Sequence, residues 1–190
     1  MNSSETKSNK FSIYEIAMIG VITAVTCVLA PLSIPIGPVP ISLTNLVIYF
    51  SLYILGWKRG TVSYLIYLLI GLVGVPVFSG FTGGPGKLFG PTGGYLIGFI
   101  PMALIAGIFI HKFYDKWYLS LVGMILGTAV CYAMGTAWLA VQANMSFQAA
   151  LMAGVIPFII GDLIKMILAM KLGPMIRKRL SAAGLMITDK

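Results

Sequence analysis

The sequence predicts an all-α, polytopic membrane protein in which six transmembrane helices form a single domain of 190 residues. Hydrophobic residues make up 58% of the chain and charged residues only 9%, whereas a soluble domain is about 25% charged. Mean hydropathy is +0.96. The apolar residues fall into six runs separated by clear breaks. Basic residues concentrate in the segments that would lie on one side of a membrane.

The six apolar runs define the expected helices. A full crossing needs about 20 apolar residues, so we expect the short second and third runs to extend by a turn into their flanking loops. The breaks are a proline-rich loop, a charged turn, a loop rich in glycine and proline, and a charged aromatic turn. In chain order the runs occupy residues 12–30, 41–56, 61–75, 93–110, 119–143 and 156–172, and the first four breaks occupy residues 31–40, 56–60, 75–94 and 111–118.

The sixth run needs its own interpretation because it contains proline and charge. Proline is favoured in the first turn of a helix, so we place the start of this helix near Pro157 and a short surface helix at 146–153. We expect Gly173 and Pro174 to interrupt this helix near the cytosolic face of the membrane. The domain then consists of a tail at 1–11, a membrane region at 12–172 and a basic tail at 173–190.

Charge fixes the expected orientation. If both termini are cytosolic, eleven of the thirteen basic residues lie on the cytosolic side, only Lys87 lies outside and Lys165 is in the membrane. This distribution follows the positive-inside rule and indicates a multi-pass membrane protein with both termini in the cytosol. The same spread argues against nucleic-acid binding, which needs one basic groove. The eleven are Lys7, Lys10, Lys58, Arg59, Lys112, Lys116, Lys171, Arg177, Lys178, Arg179 and Lys190.

Asp162 and Lys165 are the strongest candidates for function. They lie three residues apart, on one helix face, in an otherwise uncharged segment. Each charge near the centre of a membrane helix costs about 2.5–3.5 kcal/mol. The pair could form a salt bridge, relay a proton or bind a polar ligand. The lack of further acidic residues at other depths disfavours a relay, so we favour a ligand site in the outer half of the membrane, with the salt bridge as its resting state.

Polar and aromatic residues at a similar depth suggest a shared outer pocket. Thr44 and Asn45 lie near the start of the second run, and Trp138 and Gln142 lie one turn apart near the outer end of the fifth. Small-molecule sites are largely apolar with a few convergent polar groups. The alternatives are interfacial anchoring for Trp138 and helix–helix hydrogen bonding for Asn45.

The loop at 75–94 holds seven glycines in twenty residues together with several large apolar side chains. We expect it to fold over the helices as a lid, because it is too apolar for a solvated linker. It is not a phosphate-binding loop, since Phe81 and Leu88 occupy positions where that motif requires glycine and serine or threonine. Lys87 in this loop either attracts an anionic group or is simply solvated.

The first run carries small residues at Ala17, Gly20 and Ala24. This spacing allows close helix approach, either within the chain or against another membrane protein. Two cysteines in apolar stretches and one histidine in a cytosolic loop define no metal site, and we expect no cofactor and no enzymatic activity.

Three stretches resemble the biotin-specific S component (BioY family) of energy-coupling factor (ECF) transporters. They are 37–44 (GPVPISLT), the pair 75–80 (VPVFSG) and 87–99 (KLFGPTGGYLIGF), and 157–165 (PFIIGDLIK). The chain differs from the family pattern at Ser42 and Thr44, where threonine and glutamine are expected, and at Gly20 and Val21, where alanines are usual.

The resemblance implies a six-helix protein that binds biotin near the outer surface, beneath its loops. It also implies partners: a membrane coupling subunit, which docks on the small residues of the first helix, and two cytosolic ATPases. Asp162 would accept ureido N–H groups, and Lys165 or Lys87 would meet the carboxylate. The apolar body of biotin would contact Phe78, Tyr95 and Trp138. Ser79, in the stretch 75–80, also belongs to the expected site.

Three classes of function remain open from the sequence. The chain lacks both an ATPase motif and the internal repeat that supports alternating access, which favours a vitamin-capture subunit energised by partners. A stand-alone ion-coupled carrier and a structural membrane subunit without a ligand are the alternatives.

Overall fold

The computed structural model describes residues 12–185, and within them the chain forms seven α-helices and one two-stranded hairpin. The predicted tail at 1–11 and the last residues of the basic tail lie outside the described range. The all-α class is confirmed. In chain order the elements are α1 (Ile13–Leu29), β1 (Ser33–Ile34), β2 (Ile41–Ser42), α2 (Thr44–Leu72), α3 (Pro85–Leu88), α4 (Gly93–Lys112), α5 (Trp117–Gln142), α6 (Phe147–Gly154) and α7 (Ile159–Ala182), with a 3-10 turn at Ile156–Phe158 before α7.

The second and third predicted spans form one broken helix, α2. The break is a single residue, Gly56, whose φ of 78° lies in the left-handed region that glycine adopts at low cost. The expected five-residue turn at 56–60 is therefore wrong, because Trp57 already belongs to the second arm. The described chain thus has six long helical segments: α1, the two arms of α2, α4, α5 and α7.

Three helical segments of the described chain are long and apolar enough to cross a membrane. They are Gly93–Lys112, Trp117–Gln142 and Phe147–Ala182, and α1 is a shorter apolar helix. The three segments confirm a membrane protein.

Long-range contacts define the two ends of the bundle. At the terminal end, the Tyr14 hydroxyl donates to the carbonyl oxygen of Leu185 at 2.6 Å, and Arg59 pairs with Glu15. At the opposite, loop end, the Gly80 N–H donates to the carbonyl oxygen of Pro31 at 3.0 Å. The two ends of the described chain therefore lie together, away from the long loops.

The loop end begins with a small antiparallel hairpin. Ser33 pairs with Ser42 and Ile34 with Ile41, so the prediction that the second helix starts at residue 41 is wrong. The helix starts instead at Thr44, because Ile41 and Ser42 are held in the extended β2 strand.

The segment between α2 and α4, residues 73–92, folds back onto the bundle and is called the lid loop here. Phe78 anchors it: the ring is fully buried and contacts Tyr67 with centroids 5.6 Å apart. A Cβ atom on Gly71 would lie 2.1 Å from the Phe78 ring, so the ring requires glycine there. Backbone hydrogen bonds between Phe78 and Thr82 close the adjoining turn. The expectation of a lid packed on the helices agrees with this geometry.

The start of the last helix agrees with the sequence prediction, but its end does not. Ser146 caps α6, Pro157 lies in the 3-10 turn, and α7 follows from Ile159. The expected interruption at Gly173 and Pro174 is wrong, because α7 continues to Ala182. Pro174 removes one N–H from the helix, yet Gly173 packs so closely on Tyr53 that an added Cβ would lie 2.4 Å from the ring. This close packing holds the helical turn around Pro174 in place.

Candidate ligand-binding site

A cavity lies at the loop end, between the first turns of α2, α4 and α7 and the middle of α5. Its empty space is about 630 Å³ when the part open to solvent is counted, and it combines apolar walls with a polar cluster on one side. Such a mixture is typical of a small-molecule site. The lining residues are Val39, Pro40, Ser42, Thr44, Asn45, Ser79, Thr92, Tyr95, Leu96, Phe99, Thr128, Cys131, Tyr132, Gly154, Phe158, Asp162 and Lys165.

Asp162 and Lys165 form the centre of the polar cluster. Lys165 Nζ donates to Asp162 Oδ1 at 3.0 Å, and only 8% of Asp162 is exposed. Asp162 lies in the first turn of α7, where the partial positive charge of the helix start stabilises a carboxylate. The two charges therefore neutralise each other in a place where neither is well solvated.

The ammonium of Lys165 makes two further hydrogen bonds. Nζ donates to the carbonyl oxygen of Ser42 at 2.7 Å and to Asn45 Oδ1 at 3.2 Å. Because an ammonium has three donors, these bonds and the one to Asp162 use all of them. Lys165 thus ties α7 to the start of α2, and a ligand acceptor must displace one of these partners to reach Nζ.

The carboxylate of Asp162 keeps room for further donors. Its second oxygen, Oδ2, accepts a hydrogen bond from the Tyr132 hydroxyl at 2.6 Å. Each oxygen of an ionised carboxylate can accept about two hydrogen bonds, and here each accepts one from a side chain. Asp162 is therefore suited to accept N–H groups from a ligand.

Tyr95 forms part of the cavity wall because two glycines admit its ring. A Cβ on Gly135 would lie 2.2 Å from the Tyr95 ring, and one on Gly154 would lie 2.0 Å from its hydroxyl. The Tyr95 hydroxyl lies 3.5 Å from Thr136 Oγ1. Small residues of α5 and α6 therefore fix the position of an aromatic surface from α4.

Six of the ten predicted ligand-binding residues lie together in the cavity lining. They come from α2, the lid loop, α4 and α7, which lie far apart in the sequence. The six are Thr44, Asn45, Ser79, Tyr95, Asp162 and Lys165.

The other four predicted ligand-binding residues lie outside this lining. Trp138 holds the lid loop, with Nε1 donating to the carbonyl oxygen of Gly90 at 2.9 Å, and Phe78 is buried as the lid anchor. Gln142 is exposed at the end of α5. Lys87 is half-buried in α3, where burial lowers the pKa of its ammonium from the usual value.

Sequence reasoning missed the face that α5 presents to the cavity. Thr128, Cys131 and Tyr132 follow the i, i+3, i+4 spacing of one helix face, and Gly135 continues it. That spacing of polar side chains beside a glycine, within an apolar helix, was the available signal. No pattern in the sequence indicates that Tyr132 contacts Asp162, which is thirty residues away.

The chain is similar in sequence to known proteins of one family. A sequence model described as the BioY family matches residues 3–182. "Biotin transporter BioY" of Thermotoga maritima is 40% identical over 151 residues, which cover 79% of this chain and 88% of that protein. "Biotin transporter BioY2" of Lactococcus lactis is 33% identical over 177 residues, which cover 93% of this chain and 97% of that protein.

A solved structure is similar over nearly the whole fold. It is the crystal structure of the S-component for biotin from an ECF-type ABC transporter, with a TM-score of 0.79 and 34% sequence identity. The similarity covers 86% of this chain and 90% of that chain. Sequence and structure therefore place the chain in one and the same family.

Proposed function

The chain belongs to the BioY family, and we propose that it is the substrate-binding (S) subunit of a transporter for the uptake of biotin. It is a transport protein and not an enzyme. The observation that carries the proposal is the buried Asp162–Lys165 pair at the wall of an apolar cavity. A ligand with an uncharged N–H-donating group and an apolar body complements this arrangement.

We assign the ureido ring of biotin to Asp162. This carboxylate keeps acceptor capacity after its bonds to Lys165 and Tyr132, whereas the donors of Lys165 are already in use. The apolar rings and chain of biotin would lie against Tyr95, Leu96 and Phe99. Its carboxylate reaches Lys165 only by replacing Asn45 or the carbonyl oxygen of Ser42.

We propose that α1 is the docking face for a membrane coupling subunit. Its buried side consists of Ile19, Thr23 and Thr26, whereas Ala17, Gly20 and Ala24 are exposed on the other side. An added Cβ on Gly20 would meet no atom within 4 Å. Within the part of the chain that the structure describes, the small residues are thus not used for packing, and they remain available for close approach by another helix.

The orientation and energy source follow from this proposal. The terminal end, with most of the basic residues, faces the cytosol of a bacterial cell, and the cavity opens outward. Import is then powered by two cytosolic ATPases that act through the coupling subunit. Binding itself requires no nucleotide, since the ligand contacts only this chain.

Mass spectrometry of the small molecules retained by the purified protein tests the proposal. Biotin is the expected ligand, and a protein that retains nothing and fails to bind added biotin would favour a structural subunit. A second experiment measures the uptake of biotin by proteoliposomes that contain this chain alone. A proton gradient should drive no accumulation of biotin, and accumulation under that gradient would favour a stand-alone carrier.

A further inference from the structure

We propose that Tyr132 is a positioning residue that sets the affinity of the site for ligands with N–H donors, by holding Asp162 in place. This inference rests on the proposed function. It assigns a role in ligand selection to a residue of α5 that lies outside the family-like stretches of the sequence.

Two side chains, from two helices, hold the carboxylate of Asp162. Lys165 lies on the same helix as Asp162 and donates to Oδ1 only. Tyr132 reaches Oδ2 from another helix at 2.6 Å, through a rigid ring. A carboxylate held at both oxygens from two helices has its orientation fixed. With the Lys165 contact alone it remains free to turn about its side-chain bonds.

The fixed orientation of the Asp162 carboxylate favours binding of a ligand with N–H donors. The short bond from Tyr132 is charge-assisted and is therefore about twice as strong as a neutral one. It leaves one acceptor position on each oxygen of Asp162, and fixes where those positions point within the cavity. A ureido N–H then meets an acceptor that is already aligned, which lowers the cost of ordering the site upon binding.

The test compares Tyr132→Phe with Tyr14→Phe. Both substitutions remove a hydroxyl that donates a hydrogen bond at 2.6 Å, but Tyr14 donates to the carbonyl oxygen of Leu185 at the terminal end and is absent from the cavity lining. We expect Tyr132→Phe to weaken biotin binding about tenfold or more. Tyr14→Phe should leave biotin affinity within about twofold.

A double-mutant cycle separates positioning from a structural role. In the Asp162→Asn background, Tyr132→Phe should cause less than about a twofold further loss, because the carboxylate that it positions is gone. An equal loss in both backgrounds would overturn the inference, as would unchanged affinity of the single Tyr132→Phe variant.

A second readout applies if the Asp162→Asn protein binds too weakly to titrate. Cyclic carbamate analogues of biotin, in which oxygen replaces one or the other ureido N–H, report on the N–H contact directly. The wild-type chain should bind biotin more tightly than the analogue that lacks the N–H bound by Asp162. Tyr132→Phe should reduce this ratio of affinities about tenfold, and an unchanged ratio would contradict the inference. Failure of the wild-type chain to bind biotin at all would instead overturn the proposed function.

Discussion

The carboxylate of Asp162 and the ammonium of Lys165 form an ion pair at 3.0 Å within one turn of α7. The pair does more than neutralise two charges, because Lys165 also binds Asn45 at the start of α2 and Asp162 also binds α5. Three parts of the bundle therefore meet at one polar cluster on the cavity wall. This arrangement makes the pair both a structural tie and a ligand contact, and the two roles can be separated experimentally.

The first prediction separates these roles by substitution. Asp162→Asn should lower both the melting temperature and biotin affinity, since it leaves the buried Lys165 ammonium without its counter-ion. Removing one partner of a buried pair typically costs about 3–5 kcal/mol of stability. Adding Lys165→Met removes the unpaired charge and should restore much of the melting temperature without restoring binding. Recovery of biotin affinity in the double variant would show that the pair is only structural.

The second prediction concerns the aromatic wall. Gly135→Ala places a Cβ 2.2 Å from the Tyr95 ring, which must then move within the cavity. We expect a loss of about 1–3 kcal/mol of stability together with weaker biotin binding. Gly161→Ala is the control, because its Cβ would meet nothing within 4 Å and alanine is favoured in a helix. Equal behaviour of the two variants in melting and titration would argue against this role for Tyr95.

The third prediction concerns the lid loop. Trp138→Phe removes the N–H that bonds the carbonyl oxygen of Gly90, so the lid loop should open more readily. We expect biotin to dissociate about two- to tenfold faster, as measured by release of radiolabelled ligand. Trp117→Phe, at an exposed position of the terminal end, should leave the release rate unchanged. Identical release rates for Trp138→Phe and wild type would contradict the lid mechanism.

The fourth prediction tests the docking face of α1. Gly20→Leu should leave biotin binding by the isolated chain within about twofold of wild type, because its position faces away from the fold. The same substitution should prevent co-purification with the coupling subunit, since a large side chain blocks close helix approach. Ile167→Phe, at an exposed position of α7, serves as the control and should co-purify normally. Normal assembly of Gly20→Leu would place the docking face elsewhere.

Features fixed by local chemistry were predictable from the sequence. Proline is favoured in the first turn of a helix, so Pro157 correctly indicated where the last helix begins. That placement put Asp162 in the first turn of α7 and at the level of the cavity. Glycine-rich composition and apolar side chains likewise indicated a lid that packs on the helices.

Features that depend on tertiary packing were not predictable. Trp138 and Gln142 share a depth with the cavity, but the rotation of α5 turns Trp138 toward the lid loop and leaves Gln142 exposed. Tyr132 resembles a core aromatic residue until α7 brings Asp162 next to its hydroxyl. Gly173 and Pro174 resemble a helix end, yet close packing of Gly173 on Tyr53 keeps α7 continuous.

Calorimetric titration of the purified wild-type chain with biotin, in the absence of nucleotide and partner proteins, shows whether this chain alone forms the binding site. We expect saturable binding of one biotin per chain, because the cavity and its polar cluster are complete within this chain. Absence of saturable binding, or binding that requires a partner subunit, would contradict this expectation.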